Sequence, residues 1–181
     1  QREQAVQDIM RNRLPMLTQL CVFVADVQDS VKISVELPPE EYFELINEFW
    51  GETDPVFQKY LGTRGKHVGD GLVYYFFPQA DTNYIVNALL CALEIKAKAR
   101  EISRAWQMRK KWDREIHLNI GLNHGREWFG TFVSGNSVEF TALGDTINSA
   151  ARLSDFARYG AIWITKNMLA ELSIEERSQF K

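Results

Sequence analysis

The sequence predicts an α+β domain: a mixed, largely antiparallel sheet with helices packed on one side. Three patterns carry that expectation: short β-prone runs, long helical stretches between them, and paired runs closed by glycine-rich turns. At 181 residues the chain suits one domain with its own core, and 45% hydrophobic with 25% charged residues is ordinary for a soluble globular protein. A net charge of −3 offers no basic footprint, which argues against nucleic acid as a partner. Cys21 and Cys91 lie in apolar runs without metal-ligand spacing and read as buried free thiols of a reducing compartment. No apolar run reaches the length of a membrane span, and the amino end lacks a signal peptide's apolar region. The expected location is therefore cytoplasmic, either free-standing or as the cytosolic part of a larger membrane-associated protein. A start at Gln1 rather than Met suits a fragment of a longer chain.

Taken in order, residues 1–15 read as a linker helix or tail ended by Pro15, and 16–181 as the domain. The apolar run 17–27 suits a central strand buried on both faces, closing on Asp26-Val27-Gln28-Asp29-Ser30. Pro38-Pro39-Glu40-Glu41 starts a helix, with proline in the first turn and acids at the positive end of the dipole. Tyr42, Leu45, Ile46 and Phe49 continue it at helical spacing, and Pro55 is a candidate kink. Gly69-Asp70-Gly71 between the runs 63–68 and 72–77 reads as a hairpin tip. Residues 80–113 form the longest helical pattern, its second half basic outside, as a solvated face would be. The alternating run 117–122 is a strand, Asn123-His124-Gly125 a turn, and 127–133 the returning strand. A short strand at 138–143, a helix from Thr146 to about Ala157, a strand at 160–165 and a helix from Lys166 complete the chain.

Two constellations could do chemistry. Asp26 and Asp70 end or join strands expected to be neighbours, and two carboxylates converging at a sheet edge suit divalent cations that leave open positions for phosphate oxygens. Taken alone, the Gly-Asp-Gly tripeptide favours Asp70 as a turn residue satisfying its own backbone over a metal ligand, and Asp29 reads as an exposed turn acid in preference to a third ligand. Asn148 and Arg152 stand i,i+4 on one helix face, where an arginine can hold negative charge developing on phosphate oxygens. An isolated pair of this kind is usually no more than helix surface.

The stretches Phe23-Val24-Ala25-Asp26-Val27, Lys66-x-x-Gly69-Asp70-Gly71 and Phe140 to Leu153 (Phe-Thr-Ala-Leu-Gly-Asp-Thr-Ile-Asn-Ser-Ala-Ala-Arg-Leu) together resemble the three signatures of class III nucleotidyl cyclases. Ser34–Glu41 and Ile120–Gly125 add supporting similarity, so the likeness runs in order over roughly residues 18–170. It implies a ferredoxin-like sheet and an adenylate cyclase converting ATP to 3′,5′-cyclic AMP and pyrophosphate. Asp26 and Asp70 would bind two Mg²⁺ or Mn²⁺ ions, Lys66 and Thr141 would read the base, Asn148 would orient the ribose, and Arg152 would stabilise the α-phosphate. Lys66 donating to adenine N1 and Thr141 accepting from its amine agree with ATP, whereas guanine N1 is itself a donor. The family site forms between two chains, so a head-to-tail homodimer under an upstream sensor or regulatory domain is implied.

The sequence departs from the family in two places. Asp29-Ser30-Val31 stands where a Gly-Phe-Thr loop usually grips the triphosphate, and no match to the family's phosphate-binding lysine precedes Lys181. Cyclisation of GTP or a pyrimidine nucleotide, and a non-catalytic cyclase-homology module, are the alternative readings.

Overall fold

A computed structural model of the chain describes residues 15–134 and 137–178, so the segment expected as a linker or tail lies outside it apart from Pro15. Strand β1 (Met16–Val27) is the spine. It pairs antiparallel with β3 (Gly71–Phe76) on one side and β4 (Leu118–Ser134) on the other. β2 (Thr63–Val68) extends the sheet beyond β3, and β5 (Ser137–Leu143) beyond the far half of β4, giving the order β2-β3-β1-β4-β5. β6 (Ile162–Ile164) runs parallel to the near half of β4.

Alternation along β1 builds two cores. Cys21, Phe23, Ala25 and Val27 face the larger one, and Leu20 and Val22 the smaller. The larger core is roofed by α1 (Ser30–Glu36), α2 (Pro39–Lys59) and α3 (Tyr84–Lys110), with α5 (Lys166–Ala170) adding Met168; the short α6 (Ile174–Ser178) follows. α2 begins where Pro39, Glu40 and Glu41 suit a helix amino end and runs through Pro55 without ending. Asn83 caps α3, its side chain accepting from the amides of Ile85 (3.1 Å) and Val86 (3.3 Å). The basic outer side of α3 is partly paired with α2: Arg109 grips both oxygens of Glu44 at 2.6 and 2.9 Å, and Lys110 meets Glu41. The exposed Arg109–Glu44 pair contributes little to stability.

The mixed sheet expected from the sequence is present. The helical layer α1–α3 lies on one side as expected, and α4 (Asp145–Phe156) adds to it by packing on the other, over the smaller core of Leu20, Val22, Val73, Tyr75, Phe129 and Ala142. Gly121 makes this possible. A Cβ there would lie 2.1 Å from the Ala150 carbonyl oxygen and 2.5 Å from the Ser154 nitrogen, so α4 rests directly on the β4 backbone.

One expectation is corrected. Asn123-His124-Gly125 is no turn: β4 runs unbroken, with Val22, Cys21 and Leu20 of β1 opposite these three residues. Asn123 and Gly125 serve the packing of α4, while the His124 ring meets the Tyr84 hydroxyl of α3 at 3.4 Å. Asn123 donates to the Thr146 carbonyl (3.3 Å) and accepts from the Thr165 hydroxyl (2.7 Å), while Gly125 leaves room for the Thr146 side chain.

Gly121→Ala should force α4 off the strand and lower stability by about 1–3 kcal/mol, a Tm drop of roughly 2–10 °C for a chain of this size. Thermal unfolding checks this; an unchanged Tm would mean that α4 does not bear on Gly121.

Candidate active site

Asp26 lies near the carboxyl end of β1, level with Gly71 of β3 and Asn119 of β4. Asp70 is the residue before Gly71, in the two-residue turn between β2 and β3, where Gly69 takes φ 62°. The topology thus brings the two acids to one end of the sheet. Asp26 is on the α4 face and half-buried, and its carboxyl is held above the ordinary carboxylate range. Burial is the main cause. The charges of Asp155 and Asp70 push the same way, while a hydrogen bond from Ser154 and the Arg158 guanidinium oppose it. Asp70 also raises the phenol of Tyr42, after burial, so that ring faces the same pocket of charge.

The segment after Asp26 is helical rather than a loop. Asp29, at φ 56°, precedes α1, and its carbonyl accepts from the Lys32 and Ile33 amides at 2.9 and 3.1 Å. Its side chain points to Lys32, whose Nζ lies 2.9 Å away and holds the carboxyl below its usual range. Asp29 therefore adds less repulsion toward a phosphate ligand than its sequence position suggests.

The strands carrying the two base-reading candidates lie against each other, β5 folding back over the smaller core to touch β2. Lys66 sits at a β-bulge: the β2–β3 register shifts by one between Arg64 and His67. A Cβ at neighbouring Gly65 would come within 2.6 Å of the Tyr75 ring and 2.9 Å of the Val73 carbonyl, so the bulge needs glycine. The half-buried Lys66 is thereby re-aimed relative to a regular strand. Thr141 is buried on β5 opposite Gly130, and the next residue, Ala142, donates its amide to the Tyr75 hydroxyl at 3.2 Å. Tyr75 thus links β3 to the strand of Thr141.

Asn148 and Arg152 are exposed on α4, while Thr146, Ala150 and Ser154 of the same helix are buried against the sheet. The structure brings Asp26 and Asp70 to one end of the sheet and leaves Asn148 and Arg152 on the exposed side of α4, opposite the buried side that carries Ser154. The amino end of α4 is held by Glu127, an acid the sequence reading passed over. Glu127 is only 5% exposed; one carboxylate oxygen accepts from the Thr146 amide at 2.8 Å, and the other has no hydrogen-bond partner among the described residues. Gly144, at φ 147°, takes a backbone conformation that favours glycine, and its bare Cα leaves that second oxygen close beside it.

The donor set fits a hard divalent cation. Among the described residues no group of three or more His, Cys, Asp or Glu converges as a closed cage. Two carboxylates at one end of the sheet, with the charge of Asp70 felt at Asp26, supply the hard oxygen donors that Mg²⁺ or Mn²⁺ favours.

With the site in view, comparisons with known proteins agree. The family described as "Adenylate and Guanylate cyclase catalytic domain" matches residues 14–181, and the chain belongs to it. Adenylate cyclase 1 of Rhizobium meliloti is 26% identical over 136 residues, covering 75% of this chain and 20% of that protein. The adenylate cyclase of Anabaena cylindrica is 23% identical over 160 residues, 87% of this chain and 32% of that one. The chain thus spans about a fifth to a third of these curated relatives. Among solved structures, the adenylyl cyclase CyaB of P. aeruginosa superposes with a TM-score of 0.79 at 23% identity, covering 87% of this chain and 81% of that one. The guanylyl cyclase Cya2 also gives 0.79, at 22% identity over 86% and 79%. The fold and the nucleotide cyclase class follow; cyclases of this class use divalent metals, bind a nucleotide and act as dimers. No described helix is long and apolar enough to cross a membrane.

Asp26→Asn should melt higher than wild type in metal-free buffer at neutral pH. The sign follows from the raised carboxyl: below the ordinary carboxylate range Asp26 is protonated folded and unfolded alike, and its ionisation at higher pH burdens only the folded state. The gain should therefore appear as pH rises through the raised value and vanish in acid; equal melting at all pH values would contradict it.

Proposed function

We propose that this domain cyclises ATP to 3′,5′-cyclic AMP and pyrophosphate at a site shared between two copies of the chain arranged head to tail. The observation that carries the proposal is that Asp26 is half-buried against the inner side of α4, held by Ser154, whereas Asn148 and Arg152 of the same helix are exposed on its outer side. A second copy resolves this: Asp26 and Asp70 of one protomer face Asn148, Arg152, Lys66 and Thr141 of its partner.

Asp26 and Asp70 would hold two Mg²⁺ or Mn²⁺ ions, which when bound make the ribose 3′-hydroxyl more acidic and offset the triphosphate charge. Asn148 fixes the ribose so that its 3′-oxygen lies in line with the α-phosphorus and the bridging oxygen to the β-phosphate. The 3′-hydroxyl gives up its proton to solvent, the new O3′–P bond forms as the bond to that bridging oxygen breaks, and pyrophosphate leaves with the electron pair. Arg152 donates to the non-bridging oxygens as their charge grows. Lys66, aimed by its bulge, donates to adenine N1, and Thr141 accepts from the exocyclic amine. Control by a sensor elsewhere in a longer protein accords with the small share of each relative that the chain covers, and a place in the cytoplasm is part of the same proposal.

Purified protein with Mn²⁺ or Mg²⁺ should form cyclic AMP from ATP in preference to GTP, CTP and UTP in a four-nucleotide competition; no product from any nucleotide would end the enzymatic reading. Asp70→Ala should abolish turnover. Arg152→Ala should lower kcat by about 10²–10³-fold with little change in KM, the pattern of a group that acts mainly in the transition state. A change confined to KM would remove Arg152 from that role.

A further inference from the structure

The Ser154 side chain has no part in the family resemblance, yet it is the closest protein partner of the acid on which metal binding would depend. It is 1% exposed, and its hydroxyl hydrogen-bonds Asp26 Oδ1. The same oxygen lies 3.2 Å from the Asn119 carbonyl. A carbonyl can only accept and the Asp26 carboxylate likewise, so one hydroxyl proton is oriented between two acceptors, with the charge favouring Asp26. Ser154 reaches this point because α4 rests on Gly121, whose absent side chain leaves the Ser154 nitrogen against the strand.

The surrounding polar groups hold the end of α4 in place. Asn119, 2% exposed, accepts from the Gly160 amide at 3.1 Å and donates to Gln28 Oε1 at 3.4 Å; Gln28 Oε1 in turn accepts from the Tyr159 amide at 2.8 Å. The segment after α4 is therefore tied to the ends of β1 and β4, beside Asp26. The helix that presents Asn148 and Arg152 outward grips the chain's own Asp26 from its inner face.

We propose that Ser154 is a positioning residue for metal loading: its hydroxyl holds one oxygen of Asp26 so that the other stays directed toward Asp70 and a shared cation. This inference rests on the metal-dependent, two-chain site proposed above. A hydrogen bond to the far oxygen of a ligating carboxylate fixes its orientation and lowers the entropy lost on metal binding, and loss of such partners typically weakens affinity about 10–100-fold. The role belongs to the protomer that supplies the acids, although Ser154 lies on the helix that serves the opposite site.

The test uses Ser154→Ala, which keeps helix propensity and removes only the hydroxyl. Mn²⁺ is titrated into the full chain holding a non-cyclisable ATP analogue, and free Mn²⁺ is read by its electron paramagnetic resonance signal. The apparent Kd for Mn²⁺ should rise about ten-fold. Equal Mn²⁺ affinity in variant and wild type would overturn the role, and a wild-type chain that takes up no Mn²⁺ would remove the proposed site itself and this role with it.

Mixed dimers then locate the effect. One protomer carries Asp70→Ala and the other Arg152→Ala, leaving one working site whose acids come from the Arg152→Ala protomer. Adding Ser154→Ala to that protomer should raise the Mn²⁺ concentration needed for half-maximal activity, and adding it to the other should not. The reverse pattern would make Ser154 only a seat for α4 and overturn the proposal.

Discussion

A carboxylate half withdrawn from water, with Asp70 and Asp155 adding negative charge nearby, is what the rest of this structure accommodates. Asp26 is retained although burial and its acidic neighbours oppose its ionisation, and the chain offsets that opposition only in part, through the Ser154 hydroxyl and the Arg158 guanidinium. A residue of this kind lowers the stability of the metal-free fold. Its placement makes sense where a cation brings the balancing charge.

The second face of the sheet is organised around that requirement. α4 lies close because β4 has glycine at Gly121, and its amino end is drawn onto Glu127 through the Thr146 amide. The same closeness buries Ser154 beside Asp26 and leaves Asn148 and Arg152 outside. Tyr75 extends the arrangement sideways, connecting β3 to β5 next to Thr141. The same packing therefore holds Asp26 against the inner side of α4 and presents the Asn–Arg face outward.

The larger features could be read from the residues because they depend on local chemistry. Alternation in β1, the proline and acids that open α2, and the spacing of Asn148 and Arg152 each need only a few neighbouring positions. Asp26 and Asp70 could be paired because both sit where strand-like runs stop. The turn expected at Asn123-His124-Gly125 failed because polar and glycine residues mark turns only when no neighbouring element needs them; here Asn123 and Gly125 satisfy α4 and make room for it. The bulge at Lys66 depends on the register of a partner strand, which no local pattern specifies. Ser154 and Glu127 carried no signal: a serine on a helix and an acid between Arg126 and Trp128 look ordinary until the fold buries both.

The whole account depends on a nucleotide being held between two chains, and a crystal structure of the protein with a non-cyclisable ATP analogue and Mn²⁺ examines that most directly. The account predicts Mn²⁺ on Asp26 and Asp70 of one protomer, and the same nucleotide contacted at its α-phosphate by Arg152 and at its base by Lys66 of the partner. A nucleotide bound wholly within one protomer, or metal bound away from Asp26 and Asp70, would contradict it.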